Sequence, residues 1–174
     1  MRTAAVSFLI VVFLGVLTGA SAVSAQQATK KAPGPEQVLL RQWNGIGSKI
    51  IAMAKDWPAD KYDYRPNDKV RTFGQFLVHI AASNYFAINP ALGKSTKDLQ
   101  DDPKEYKTKE QIVAFVEKSF ADGAAALEKG GDDGAMAHLG QWVGIIEHSG
   151  EHFGNLVTYY RNNDVVPPES RPKK

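Results

Sequence analysis

The run from Ala135 to Asn162 carries the clearest helical pattern in the chain. Its apolar residues recur at spacings of three and four, which is the period of an amphipathic helix. They are Leu139, Trp142, Val143, Ile146, Phe153, Leu156 and Tyr160. His148 and His152 lie four residues apart within this run. On a helix this spacing puts both imidazoles on one face, one turn apart, where a single ion can bridge them.

Three further runs have the same apolar period, and each is bounded by residues that begin or end helices. The boundaries are proline, a capping box (a hydroxyl residue followed three residues later by Gln) or paired glycines. The predicted helices extend from Pro35 to Pro58, from Thr72 to about Ile88, and from Thr108 to Gly130-Gly131. Because long polar connections separate them, the pattern predicts an all-α four-helix bundle with long inter-helix connections. Asp133 is the predicted cap of the fourth helix.

The two ends of the chain differ from the helical region. Arg2 precedes an uncharged, mostly apolar run from Ala4, and small residues lead up to Ala25. This pattern is typical of a secretory signal peptide, so residues 1–25 are predicted to be removed on export to the periplasm or beyond. Residues 26–34 are then a flexible leader, and 35–174 form the domain. An uncleaved membrane anchor is the alternative, because the run is near the shortest length that spans a bilayer.

The tail after the fourth helix runs from Val165 to Pro172 and contains three prolines. Proline lacks a backbone N–H and disfavours the helical conformation of the residue before it, so the tail is predicted to be extended. Three of the last four residues, Arg171-Pro-Lys-Lys174, are basic, as is expected of a solvated terminus.

Composition excludes several classes of function. The chain has no cysteine, which rules out a cysteine nucleophile, a Cys-type zinc site and c-type haem attachment. The 21 basic and 19 acidic side chains nearly balance, so charge gives no indication of nucleic acid or of an anionic membrane surface as a partner. Any metal must be held by His, Asp, Glu or water.

A third histidine completes a candidate metal site. His79 lies on the apolar stripe of the second predicted helix, so it faces the same interior as His148 and His152. Three neutral imidazoles with an open position are a familiar ligand set for a reactive metal centre. Candidates to support these ligands and fix their ring tautomers are Ser83, Glu151 and Asn155. His138 is rotated by about 80° from His148 and is interpreted as structural or exposed.

The segment His148-Ser-Gly-Glu-His152 also has the His-x-x-Glu-His order of inverted zinc peptidases. Those enzymes need a further acidic ligand well downstream of the motif. Only a short, proline-rich stretch follows here, so the third ligand is better sought upstream, at His79. Glu151 is therefore interpreted as a solvated or supporting residue and not as a general base.

The end of the fourth run, with His152, Gly154, Asn155 and Arg161 followed by Pro-Pro-Glu-Ser-Arg-Pro, resembles the DinB/YfiT-like family of small metal-binding four-helix proteins. The segment Phe76-Leu-Val-His-Ile-Ala-Ala-Ser83 adds to this resemblance, which extends over essentially the whole predicted domain. It implies three ligands at His79, His148 and His152 and a divalent ion such as zinc, nickel, manganese or iron. It also implies a homodimer, and characterised relatives include thiol-dependent S-transferases and isomerases.

Three functional hypotheses remain open at this point. The first is a metal-dependent enzyme of transferase or hydrolase type, in which the ion activates water or a small-molecule thiol. The second is a non-catalytic exported bundle that binds a metal or another ligand. The third is a metal-free bundle whose histidines hydrogen-bond within the core.

Overall fold

The computed structural model describes residues 32–172 and shows four α-helices and no strand in that range. The helices are α1 (Pro35–Asp56), α2 (Phe73–Ala91), α3 (Lys109–Ala137) and α4 (Leu139–Arg161). The predicted all-α fold is confirmed. The predicted signal peptide, 1–25, and the first part of the leader lie outside the described residues. Within those residues, no helix combines the length and the apolar character needed to cross a bilayer.

The starts of α2 and α3 follow from local sequence, and both predicted capping boxes are confirmed. The Thr72 hydroxyl accepts a hydrogen bond from the Gln75 backbone N–H at 3.2 Å, and the Gln75 side chain accepts one from the Thr72 N–H at 2.9 Å. Thr108 and Gln111 make the same reciprocal pair. Each box satisfies two backbone donors that a helix start would otherwise leave unpaired.

Both α2 and α3 extend past their predicted ends. Pro90 lies inside the last turn of α2, so this helix continues slightly past the predicted end at Ile88. The regular helical backbone of α3 does stop at the paired glycines, as predicted, because Gly131 has a φ of 59° and a ψ of −162° that are not helical; a second helical segment then continues to Ala137. A residue without a Cβ tolerates this backbone conformation, so the glycine marks the kink between the two segments.

The predicted role of Asp133 as the cap of the fourth helix is wrong. The N-cap of α4 is His138, which makes no side-chain capping hydrogen bond. The neighbouring Asp132 instead accepts a hydrogen bond at 3.0 Å from the backbone N–H of Glu36, in the first turn of α1. A carboxylate at a helix N-terminus also interacts favourably with the helix dipole. The kink at Gly131 thus directs an acidic residue to a different helix.

The four helices form a ring in which α1 packs against α3 and α4, and α2 packs against the same two helices. The α1–α3 contact is reciprocal: Trp43 of α1 fits over Gly123 of α3, and Phe120 of α3 fits over Gly47 of α1. The Trp43 indole N–H donates to the Phe120 carbonyl oxygen at 2.8 Å. These contacts pack Trp43 and Phe120 tightly between α1 and α3. The α2–α4 interface combines aromatic contacts, such as Phe73 with Tyr160, with the polar residues described below.

The C-terminal tail is not extended throughout, so the predicted extended tail is not confirmed. Pro168–Ser170 form one turn of 3-10 helix. Arg171 then folds back and donates two hydrogen bonds of 2.7 Å to the Asp56 carboxylate at the end of α1. This ion pair lies close to Tyr160, whose hydroxyl also contacts Asp56. The tail therefore closes one end of the bundle.

Candidate metal centre

Three histidine side chains meet between α2 and α4. His79 extends from α2, and His148 and His152 extend from successive turns of α4. The Nε2 atom of His148 lies 3.1 Å from the Nε2 of His79 and 3.1 Å from the Nε2 of His152. The structure therefore brings together the three histidines that the sequence predicts, through the same ring nitrogen of each.

Neutral imidazoles alone do not account for this convergence. A neutral ring has one N–H and one lone pair, so the Nε2 of His148 can satisfy at most one of its two neighbours. Placed instead around one ion at metal–nitrogen distances of about 2.0–2.1 Å, ligands at tetrahedral or octahedral angles have nitrogens roughly 2.8–3.4 Å apart. The observed separations of 3.1 Å fall in that range. The donor set fits a divalent cation.

The outer nitrogen of His79 is oriented by the α2–α3 connection. Its Nδ1 lies 3.0 Å from the backbone carbonyl oxygen of Asp101. A carbonyl only accepts, so Nδ1 must carry the proton, and this leaves a lone pair on Nε2 for a metal. His79 is 8% exposed, so this hydrogen bond lies in a largely dry environment. The tautomer needed for ligation is thus set by the fold.

An ion pair holds this connection in place. Arg71, just before α2, donates from Nε and Nη2 to the two carboxylate oxygens of Asp102, at 3.0 and 2.7 Å. Asp102 Oδ1 is also 3.8 Å from His79 Nδ1. The Arg71 guanidinium is the main cause that lowers the pKa of Asp102, so this carboxylate stays charged. The Tyr159 hydroxyl of α4 donates to the Arg71 carbonyl oxygen, which ties the same segment to the helix that bears the other two histidines.

The three predicted supporting residues occupy different positions. The Asn155 side-chain nitrogen Nδ2 lies 3.2 Å from His152 Nδ1, so this residue contacts the ring. Ligation through Nε2 requires a proton on Nδ1, which the Asn155 amide oxygen would accept if the amide group were turned so that its oxygen and nitrogen exchange places. Glu151 is exposed and Ser83 is buried, and neither hydrogen-bonds to a histidine ring among the described residues. The outward direction of Glu151 follows from its rotation of about 100° from His152 on the helix.

Burial keeps the α4 histidines neutral. It lowers the pKa of His152 to about 4, with smaller contributions from the neighbouring His148 and His79. It also lowers the pKa of His148, where Glu151 acts in the opposite direction. Because a metal ligand must be unprotonated, both rings are available for ligation at neutral pH.

His148 differs from the other two histidines in its surroundings. Its Nδ1 atom is buried and has no hydrogen-bond partner in the part of the chain that the structure describes. Its ring also borders a cavity of about 350 Å³ on the α2–α4 face. His79 and His152 are not part of the lining, so this open space reaches the three-histidine group from the His148 side.

Asp101, Asp102 and Arg71 are the functional candidates that sequence reasoning missed. All three lie outside the helical periodic runs, in segments that the sequence marks only as polar connections. The charges of Arg71 and Asp102 are complementary, but they are far apart in the chain, and no local pattern indicates that they pair. Only the packing of the α2–α3 connection over His79 reveals their role.

Comparison with known families matches residues 45–157 to the model of the DinB superfamily. The match begins within α1, ends within α4 and includes all three histidines of the site. A search of curated proteins gave no match.

Proposed function

We propose that this protein, which belongs to the DinB superfamily, is an exported divalent-metal protein whose ion is held by His79, His148 and His152. The observation that carries the proposal is the convergence of three Nε2 atoms at 3.1 Å from one to the next. The metal is zinc, nickel, manganese or iron, the ions that the family resemblance implies; of these, zinc, nickel and iron are the ones that imidazole ligands favour. Members of the superfamily bind divalent metals, which supports the assignment.

The arrangement is best suited to a metal-dependent enzyme of transferase or hydrolase type. An ion with three protein ligands and an open position supplies Lewis acidity, which lowers the pKa of a bound water or small-molecule thiol. The cavity beside His148 supports this interpretation, because it brings space for a small molecule up to one of the three ligands. The predicted export signal favours water over a thiol, because low-molecular-weight thiols are less available outside the cytoplasm.

The chain's own groups have separate roles in this proposal. His79, His148 and His152 bind through neutral imidazole. The Asp101 carbonyl orients His79, and the Asn155 amide orients His152. Arg71 and Asp102 hold the segment that carries the Asp101 carbonyl, so they act on the site through His79. Burial of the rings strengthens their electrostatic interaction with a cation.

A non-catalytic metal or ligand carrier is the second candidate. The observation that favours it is that few side chains near the rings could act as an additional general base. Glu151 is exposed, and Asp102 is already paired with Arg71. A carrier and an enzyme with metal-activated water share the same ligands, so they are separated by turnover and not by metal content.

Metal content tests the proposal directly. We expect the protein, purified without a histidine tag, to contain close to one divalent ion per chain by inductively coupled plasma mass spectrometry. The His148→Ala/His152→Ala double variant should lose it. A matched control is His138→Ala, because His138 lies at the α3–α4 junction, outside the three-histidine group. Equal, substoichiometric metal in the wild type and the double variant would disprove the metal site.

A further inference from the structure

We propose that the groove beside His148 binds the apolar part of a small molecule whose anionic oxygen or sulfur head occupies the open side of the three-histidine site. The proposal rests on the metal site proposed above and goes further by naming the class of ligand. The groove is the cavity of about 350 Å³, and its lining comes from α2 and α4. This volume is within the range of small-molecule sites.

The α4 side of the groove is formed by a line of glycines that leads to the histidines. Gly140, Gly144, His148 and His152 follow one another at intervals of four residues, so each is about 40° further round the helix than the one before. A Cβ added at Gly140 or Gly144 would meet no atom within 4 Å. The absence of side chains at these two positions therefore creates open space and is not needed for close packing.

The α2 side of the groove continues the line of His79. Ser83 and Ala87 follow His79 at the same interval of four residues, and both line the cavity. Ser83 is only 6% exposed. Its hydroxyl is the one side-chain hydroxyl in the lining of the cavity, and it can donate a hydrogen bond to a polar group of a ligand or accept one from it. Ser83 thus marks a polar contact between the histidines and the rest of the groove.

The groove becomes apolar beyond Ser83. Phe86 is 42% exposed and forms one wall, and Ile145 forms another. Among the described residues that line the cavity there is no Asp, Glu, Lys or Arg. A ligand that matches these contacts in order along the groove has a metal-binding anionic head, a neighbouring hydrogen-bonding group and a short apolar chain or ring.

A series of linear hydroxamates tests the proposal. Titration calorimetry would measure the binding of acetohydroxamate, butanohydroxamate, hexanohydroxamate and octanohydroxamate to the Zn²⁺-loaded protein. The hydroxamate head is a chelating ligand, and only the chain length varies. We expect the dissociation constant to fall by about twofold to fourfold for each methylene that the groove buries. In Gly144→Leu, a side chain would fill the groove, so octanohydroxamate should bind at least roughly tenfold more weakly, with a far smaller change for acetohydroxamate.

Gly45→Leu is the matched control. Gly45 is an exposed glycine inside α1, and a Cβ there also meets nothing within 4 Å. Gly45→Leu brings the same gain in helix propensity as Gly144→Leu, but at a position far from the groove. The whole hydroxamate series should therefore bind as it does to the wild type. Circular dichroism and metal content verify that each variant is folded and loaded.

The outcomes separate this inference from the metal proposal. If acetohydroxamate binds but longer chains bind no better, the groove has no role in ligand binding, and the metal site stands. If the protein takes up no Zn²⁺ and no hydroxamate binds, both proposals are overturned. A third outcome is that the wild type sediments as a dimer, that Gly144→Leu sediments as a monomer, and that hydroxamate affinity is independent of chain length. The groove is then an interface between two copies of the chain, and the inference is wrong.

Discussion

The α1–α3 interface and the α2–α4 interface both contain glycines, but the surroundings of these glycines are opposite. In the first, a Cβ at Gly47 would approach Phe120 Cδ1 to 2.7 Å, and one at Gly123 would overlap the Trp43 indole. In the second, Gly140 and Gly144 have open space where a Cβ would project. The first pair of glycines permits close packing of large aromatic side chains. The second pair leaves a groove beside the histidines.

This difference separates the part of the bundle that stabilises the fold from the part that is available for binding. Trp43 is fully buried, makes a hydrogen bond to the Phe120 carbonyl and packs edge-on against Trp142, with ring centroids 5.5 Å apart. The α2–α4 interface instead contains one buried and two half-buried histidines, and the buried His148 Nδ1 has no hydrogen-bond partner among the described residues. Unsatisfied buried polar groups reduce stability, and they are concentrated at functional sites.

The largest effect on stability is expected from Gly123→Ala. The new methyl group would overlap the Trp43 indole, which its hydrogen bond and two aromatic neighbours prevent from moving. Overpacking of this kind costs about 3 kcal/mol, and alanine returns about 1 kcal/mol through its helix propensity. We therefore expect the free energy of unfolding to fall by about 2 kcal/mol in urea denaturation. Gly45→Ala, at an exposed position of α1, is the control and should be slightly stabilising; an equal response of the two variants would contradict the packing argument.

On the other side of the bundle, Asp102→Asn should affect the metal more than the fold. The substitution removes the ion pair with Arg71 that holds the Asp101 carbonyl against His79. Loss of such a supporting contact typically weakens metal affinity by about 10–100-fold. Competition with a fluorescent chelator would measure this change. Because Arg71 and Asp102 are each about one third exposed, stability should change by less than about 1 kcal/mol.

Asp98→Asn controls for the loss of one negative charge in the same connection, since Asp98 is exposed and outside the histidine environment. Equal effects of the two substitutions on metal affinity would show that only the long-range charge matters. The positioning role of the Arg71–Asp102 pair would then be wrong.

The pH dependence of stability should also distinguish the α2–α4 interface from the α1–α3 interface. Burial lowers the pKa of His152 to about 4 and lowers that of His148, so the folded metal-free protein binds fewer protons at these rings than the unfolded chain does. The unfolding free energy of the metal-free protein should therefore fall as pH decreases from about 6.5 towards 4. In His152→Gln this loss should be smaller, and urea denaturation at several pH values would measure the difference between the two proteins. Parallel pH profiles would show that His152 is protonated equally in both states.

The smallest effect is expected from Gly144→Ala, and its sign should be opposite to that of Gly123→Ala. With no atom within 4 Å of the new methyl group, only the helix propensity changes, and stability should rise by about 0.5–1 kcal/mol. Thermal unfolding monitored by circular dichroism is sufficient to detect this. A destabilised Gly144→Ala would mean that this position is packed like Gly123, and the contrast between the two interfaces would disappear.

Local signals in the sequence were enough to predict the helices. The capping boxes at Thr72 and Thr108 place the starts of α2 and α3, because each involves residues only three apart. The histidine pair on α4 is likewise a property of helical spacing. The errors occur after the paired glycines. The regular helix stops at Gly131 as predicted, but a second helical segment follows it, so α4 begins after His138 and not after Asp133. The neighbouring Asp132 accepts a hydrogen bond from the first turn of α1.

The sequence by itself determined that the chain forms four amphipathic helices and that three of its histidines face the interior, since both depend on the period of the helix. The tertiary structure decided which residues surround them: the Asp101 carbonyl on His79, the ion pair between Arg71 and Asp102, and the open space at Gly140 and Gly144. These contacts join segments that are distant in the chain. Their geometry depends on how the helices and connections pack. The local sequence around a glycine does not show whether an indole packs over it, as at Gly123, or a groove lies beside it, as at Gly144.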